Sequence, residues 1–118
     1  MKYMLLISRD EPAWEKLGVA EKQRIFLDSV ALSEELTAHG QYLGGHPLHL
    51  SSSATSVRVR EGRRLVTDGP FAESREQLGG YMLIDVANLD EAIAIAARIP
   101  LVRMSTVEIR PVREGLPS

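Results

Sequence analysis

Tyr3, Met4, Leu5, Leu6 and Ile7 follow one another without a polar interruption. That run limits the fold more than any other feature of the sequence. Successive side chains of a strand point to opposite faces, so five apolar residues in a row need cover on both sides. The run is too short for a signal-peptide core or a membrane span. It predicts a first strand over Lys2–Ser8 of a protein expected in the cytoplasm. Arg9, Asp10, Glu11 and Pro12 then break the pattern, and Trp14 and Leu17 fall in a loop or short turn ending near Gly18.

The strongest helical pattern covers Glu21–His39, where Ile25, Ser29, Leu32 and Leu36 recur at spacings of four, three and four. Gly40 follows, the favoured residue just past a helix end. Gln41–Leu50 reads as an irregular strand loosened by Gly44, Gly45 and Pro47. Val57 and Val59 alternate with Arg58 and Arg60, and Arg63–Thr67 answers them across Glu61-Gly62, which predicts a β-hairpin. Tyr81–Val86 is a further strand. Asn88 can cap a second helix, with Glu91 reaching back and Pro100 marking its end. Thr106–Val112 closes the chain as a last strand. Two β-α-β halves with an inserted hairpin predict an α+β, ferredoxin-like sandwich, both helices on one sheet face. The other face of an apolar strand then needs a second cover, and a homodimer with sheets packed face to face is the expected solution.

Composition narrows the partners. The 118 residues suit a single domain over 1–118. With 14 basic and 16 acidic residues the formal charge is −2, and no broad phosphate-neutralising field is available, so no nucleic-acid partner is expected. Cysteine is absent, which removes disulfides, thiolate nucleophiles and Cys-type zinc sites. His46 and His49 are three apart, on opposite faces if in a strand, and make poor metal partners. No metal, organic cofactor or membrane attachment is expected.

The segment LVTDGPFAESREQLGGYMLIDV, Leu65 to Val86, resembles the signature of the DGPF-motif branch of YCII-related proteins. The opening MKYMLLI, the pair Gly44-Gly45, the strand VRVREG and the closing TVEIRPV extend the resemblance over nearly the whole chain. The resemblance implies a dimeric α/β barrel of ferredoxin-like units. It implies no particular reaction. Some relatives are encoded beside, or fused to, sigma factors of the extracytoplasmic-function type. Others carry a His and an Asp, proposed as a catalytic pair between helix and sheet. Counting back from Gly40, the first of these falls at Ser29, and the second, before a late proline, at Ile99. The pair does not carry over to this chain.

Several residues remain as candidates. Asp68 heads the motif, as a general base or ligand anchor, or as a turn residue beside Gly69 and Pro70, with Phe71 as an apolar anchor. Glu73, Arg75 and Glu76 are either a polar ligand site or a solvated cluster. Gly79-Gly80 either lets a ligand approach the backbone or marks a bulge. Ser29 interrupts the helix stripe and either faces a pocket or bonds back to its own helix. His46 is a candidate acid/base group. Tyr81 lies on a strand that a pocket can borrow. Arg58, Arg60, Arg63 and Arg64 crowd the hairpin, for anion recognition or to discourage edge pairing. Two functions follow as expectations. One is a small-molecule-binding protein or enzyme with its pocket between the first long helix and the sheet, Asp68 at the rim. The other is a non-catalytic module associated with a sigma factor.

Overall fold

β1 (Lys2–Asp10) buries Tyr3, Leu5, Ile7 and Arg9 and leaves Met4, Leu6, Ser8 and Asp10 half-exposed. This strict alternation runs two residues past Ser8, so Arg9 and Asp10 belong to the strand instead of breaking it. The structure, a computed structural model, describes residues 1–116. β1 is followed by a short helix α1 (Glu11–Glu15), the long helix α2 (Val19–Ala38), and β2 (Tyr42–Pro47). The hairpin β3 (Thr55–Arg60) and β4 (Arg63–Asp68), then β5 (Glu76–Asp85), α3 (Leu89–Ala96) and β6 (Val107–Pro111) complete the order.

The segment expected to be a loop after β1 folds as α1 because Asp10 caps it. The Asp10 Oδ1 accepts from the Ala13 N–H at 3.0 Å, and Pro12 sits in the first turn, where its missing N–H has no intrahelical partner to lose. α3 starts as its sequence predicts. Asn88 Oδ1 accepts from Glu91 N–H at 3.0 Å, while Glu91 Oε2 accepts from Ala87 N–H at 2.9 Å. This is a capping box shifted outward by one residue.

The main sheet has the order β2-β5-β1-β6 with every neighbouring pair antiparallel. With the hairpin set aside, that is the ferredoxin-like arrangement, and the fold is α+β as expected. β3 and β4 pair only with each other, closed at Glu61-Gly62, whose φ angles are both positive, as tight hairpin turns require.

Both long helices lie on one face. Leu32 and Leu36 of α2 and Ala92, Ile95 and Ala96 of α3 pack against Tyr3, Leu5, Ile7, Met82 and Ile84 of the two central strands. Leu5, Leu36 and Ile84 are fully buried. The stripe on α2 is only half used this way. Its C-terminal residues Leu32 and Leu36 reach the core, whereas Ile25 and Ser29, towards its N-terminus, are only half-buried. The helix therefore closes on the sheet at one end and leaves space at the other.

Because Leu36 is fully buried where α2 touches the sheet, Leu36→Ala is expected to cost about 2–5 kcal/mol. Asn88→Ala, which removes a single cap, is expected to cost about 1 kcal/mol. Urea unfolding followed by circular dichroism checks both, and the order of the two losses is the sharper result.

Candidate functional site

The space left under the N-terminal half of α2 is a cavity of about 610 Å³. Its helix wall is Ile25, Phe26, Ser29, Val30 and Ser33; its sheet wall includes Ile7, Arg9, Tyr42 and Met82; and Trp14 of α1 stands at one end. Most of this lining is apolar or aromatic, the usual character of sites for small organic molecules.

Arg9 is the exception. It is only 6% exposed, the one charged residue of the buried interior among the described residues. Its place follows from period two: it points to the same face as Tyr3, Leu5 and Ile7. Room for it comes from β5. The register between β1 and β5 shifts at Ile7/Ser8, so that Ile7 faces Gly80, Ser8 faces Leu78, and Gly79 is the extra, bulged residue. A Cβ on Gly79 would lie 2.8 Å from the Arg9 Cβ and 3.5 Å from its Nε. The arginine stem therefore lies directly on the glycine backbone. Its guanidinium carbon is 5.4 Å from the centre of the Trp14 ring, within cation–π range, and Lys22 Nζ is 5.6 Å from the same ring.

The guanidinium is poorly served by the protein. Nη2 donates to the Leu48 carbonyl at 3.0 Å, and Nε is buried without a partner. No carboxylate pairs with it among the described residues. Burial lowers its pKa from the ordinary arginine value, and the nearby charges of Glu11 and Glu15 act in the opposite direction. An arginine remains protonated in a protein in any case.

The residues singled out from sequence do not form one site. Ser29 lines the cavity, yet its hydroxyl donates to the Ile25 carbonyl at 2.8 Å, the local helix bond that also explains a serine in the stripe. Gly79, Gly80, His46 and Tyr81 border the cavity where β2 pairs with β5. Met82 faces the helices, so strand alternation turns the rings of Tyr81 and its partner His46 to the opposite face. There they meet edge to face, with centroids 6.0 Å apart. Gly69, Pro70 and Glu73 lie instead along a separate, shallow groove shared with Glu11, Ser51 and Gln77.

Asp68 is exposed at the end of β4, and Asp68, Phe71 and Arg75 line neither depression. Gly69 has φ +99°, donates its N–H to the Ala54 carbonyl at 2.7 Å and accepts from Ser56 Oγ at 2.7 Å. The tetrapeptide thus folds as a turn tied to the base of the hairpin. Phe71 is 83% exposed, so it anchors nothing within one chain. Arg75 reaches Asp10 Oδ1 at 3.6 Å, and Glu76 accepts from Ser8 Oγ at 2.7 Å. The hydrogen bonds from Ser8 and then Thr106 hold the Glu76 carboxyl below its ordinary pKa. Among the described residues no three His, Cys, Asp or Glu side chains gather as a metal site.

Arg9 and Trp14 do not stand out in the sequence as site residues. The one signal for them is phase: Arg9 keeps the period of Tyr3, Leu5 and Ile7, and Gly79-Gly80 announces a bulge or close approach on the partner strand.

A family profile described as the YCII-related domain matches residues 1–115. The chain belongs to the YCII-related family. Uncharacterized protein R00369 of Rhizobium meliloti (strain 1021) is 34% identical over 113 residues, covering 94% of this chain and 91% of that protein. Among solved structures the fold matches 5-chloro-2-hydroxyhydroquinone dehydrochlorinase (TftG) from Burkholderia phenoliruptrix AC1100, with a TM-score of 0.52 and 12% identity. That match covers 98% of this chain and 96% of the other, and it establishes the shared fold. No helix of this YCII-related chain is long and apolar enough to cross a membrane among the described residues.

Since the arginine stem rests on the bulge, Gly79→Ala is expected to destabilise the protein by about 1–3 kcal/mol, the usual cost of overpacking. Gly69→Ala acts at the other site through backbone strain alone, since a Cβ added there would meet nothing within 4 Å. Removing the arginine side chain in the double variant Gly79→Ala/Arg9→Ala is expected to recover part of the Gly79→Ala loss. Thermal unfolding of the three variants checks this coupling.

Proposed function

We propose that the cavity between α2 and the sheet holds a small organic molecule with a largely apolar, ring-sized body, either as the substrate of an enzyme or as a bound ligand. The carrying observation is an apolar space of about 610 Å³ beneath a helix that closes on the sheet at only one end. A well-packed interior leaves few voids larger than a water molecule. The dehydrochlorinase of the same fold was solved with 2,5-dihydroxybenzoquinone, a single small ring, which supports the reading by analogy of fold. The Ser29 hydroxyl is engaged by its own helix and the His46 ring faces away. The cavity residues thus support binding and positioning more directly than proton transfer.

The test is a thermal-shift screen of single-ring compounds on wild type and on Ser33→Phe, which places a ring inside the cavity. A true ligand is expected to raise the wild-type Tm by mass action, about 2.7 kcal/mol of stabilisation at a hundredfold excess over Kd. Ser33→Phe is expected to lose that response, and Asp68→Ala, altered outside the cavity, to keep it. A Ser33→Phe protein that responds like wild type would remove the cavity reading.

The opposite sheet face supports a second proposal, a homodimer. Met4, Leu6, Tyr81 and Leu83 form a half-exposed apolar patch across β1 and β5, with no cover from the described residues. Val57, Val59 and Val66 of the hairpin are exposed as well. A second copy placed face to face buries the central patch without stranding a charge, since Glu108 and Arg110 at its edge already pair with each other. Light scattering is expected to give twice the chain mass for wild type and a lower mass for Leu6→Glu. A wild-type mass of one chain rules the dimer out.

A further inference from the structure

We propose that the ligand of this cavity is an organic anion, a ring bearing a carboxylate or phenolate oxygen, and that Arg9 is the residue that receives its charge. The inference rests on the cavity reading above and names the ligand class.

Arg9 is buried to 6% exposure, yet it has no ion-pair partner among the described residues. Proteins seldom bury an arginine without pairing it, because an uncompensated charge is costly to desolvate. Among the described residues only one of its three nitrogens is bonded, Nη2 to the Leu48 carbonyl. Nε is buried with no partner among the described residues, and the Arg9 side chain lines the cavity. A guanidinium presents its donors as a planar fork matched to two oxygens of an anion, and such charge-assisted bonds are the strong ones.

The surroundings favour the same ligand. Glu11, the acidic group that acts most on the Arg9 charge, already accepts from Ser51 N–H at 2.7 Å and from the Ser51 hydroxyl. Glu15 is exposed and makes no bond to Arg9. Lys22 adds a second positive charge at the same Trp14 ring, and Glu34 is the cavity's acidic residue, set on the helix wall. Trp14, Phe26 and Tyr42 supply aromatic surface for the ring. Gly79 completes the device: its missing side chain is what lets a long cationic residue lie flat at the cavity wall.

The purely structural alternative is that Arg9 exists to hold the Leu48 carbonyl, fixing the chain beyond β2. The two readings separate in the free protein. If the charge awaits a ligand, replacing it by an apolar stem of similar length relieves an unsatisfied group, so Arg9→Met is expected to hold or raise the Tm. If Arg9 is a structural tie, Arg9→Met lowers it.

The experiment titrates benzoate and neutral benzyl alcohol into wild type, Arg9→Lys and Arg9→Met by isothermal calorimetry, with the Arg9 Nε–H resonance followed by NMR in wild type. Wild type is expected to bind benzoate at least about tenfold more tightly than benzyl alcohol, the scale of one charge-assisted hydrogen bond. The Nε–H signal is expected to shift with benzoate. Arg9→Met is expected to lose the preference while keeping benzyl alcohol within about twofold of wild type, and Arg9→Lys to keep part of it. Equal binding of both probes by wild type, with the Nε–H signal unmoved, overturns the anion assignment and leaves the cavity reading standing. Binding of neither probe to wild type overturns both.

Discussion

The pairing of β1 with β5 governs the rest of the molecule. β1 sits between β5 and β6, and its inward residues Tyr3, Leu5 and Ile7 form the floor on which both long helices rest. Its outward residues Met4 and Leu6 leave the opposite face apolar. One strand thus sets which face the helices take and which face the described residues leave uncovered. The pairing also has a single irregularity, the bulge at Gly79, and it falls where the inward row reaches Arg9. Past that point the sheet no longer carries apolar residues inward, and α2 no longer touches it closely. Where the inward row changes from hydrocarbon to a cation, the interior opens into the cavity.

Much of this architecture is legible in the residues themselves, because it depends on period and punctuation. The five-residue apolar run, the stripe on α2, the Asn88 and Glu91 cap, and Glu61-Gly62 each specify a local geometry that tertiary contacts then keep. The start of α1 is less legible because Asp10 has two roles, strand residue and helix cap, and Pro12 reads equally as a strand breaker and a first-turn residue. The end of β1 reads two residues too early for a related reason. A charged pair normally signals solvent, yet Arg9 and Asp10 point to opposite faces, and only one of them is exposed enough to obey that signal.

The site is less legible than the fold. The tetrapeptide Asp68 to Phe71 stands out in the sequence because aspartate, glycine and proline adjoin, but those same residues are the chemistry of a turn, and its backbone bonds to Ala54 and Ser56 use it as one. The cavity draws instead on residues that are unremarkable in isolation: a serine in a helix stripe, a glycine in a bulge, a tryptophan in a short helix. The lining comes from α1, α2, β1, β2 and β5 among other segments, and only the three-dimensional pairing places it together. Sequence spacing reports neighbours along one element well, and neighbours across several elements hardly at all.

The energetic balance at Arg9 is what makes the arrangement informative. A leucine in its place would continue the row of Tyr3, Leu5 and Ile7 and pack without any unsatisfied donor. The chain instead carries a cation there, a bulged glycine to seat it and a tryptophan to face its π-surface. Each of these carries its own cost in stability: desolvation of the charge, backbone freedom at the glycine, an unpaired Nε. Cation–π contact with Trp14 and one bond to Leu48 offset part of that cost and leave Nε buried without a partner among the described residues. Such a local conflict between folding and packing marks a position whose requirements are set by something other than the fold. The proposed anion would resolve the conflict by being negative, small enough for the cavity and largely apolar elsewhere. Those three conditions follow from the charge, the volume and the lining taken together.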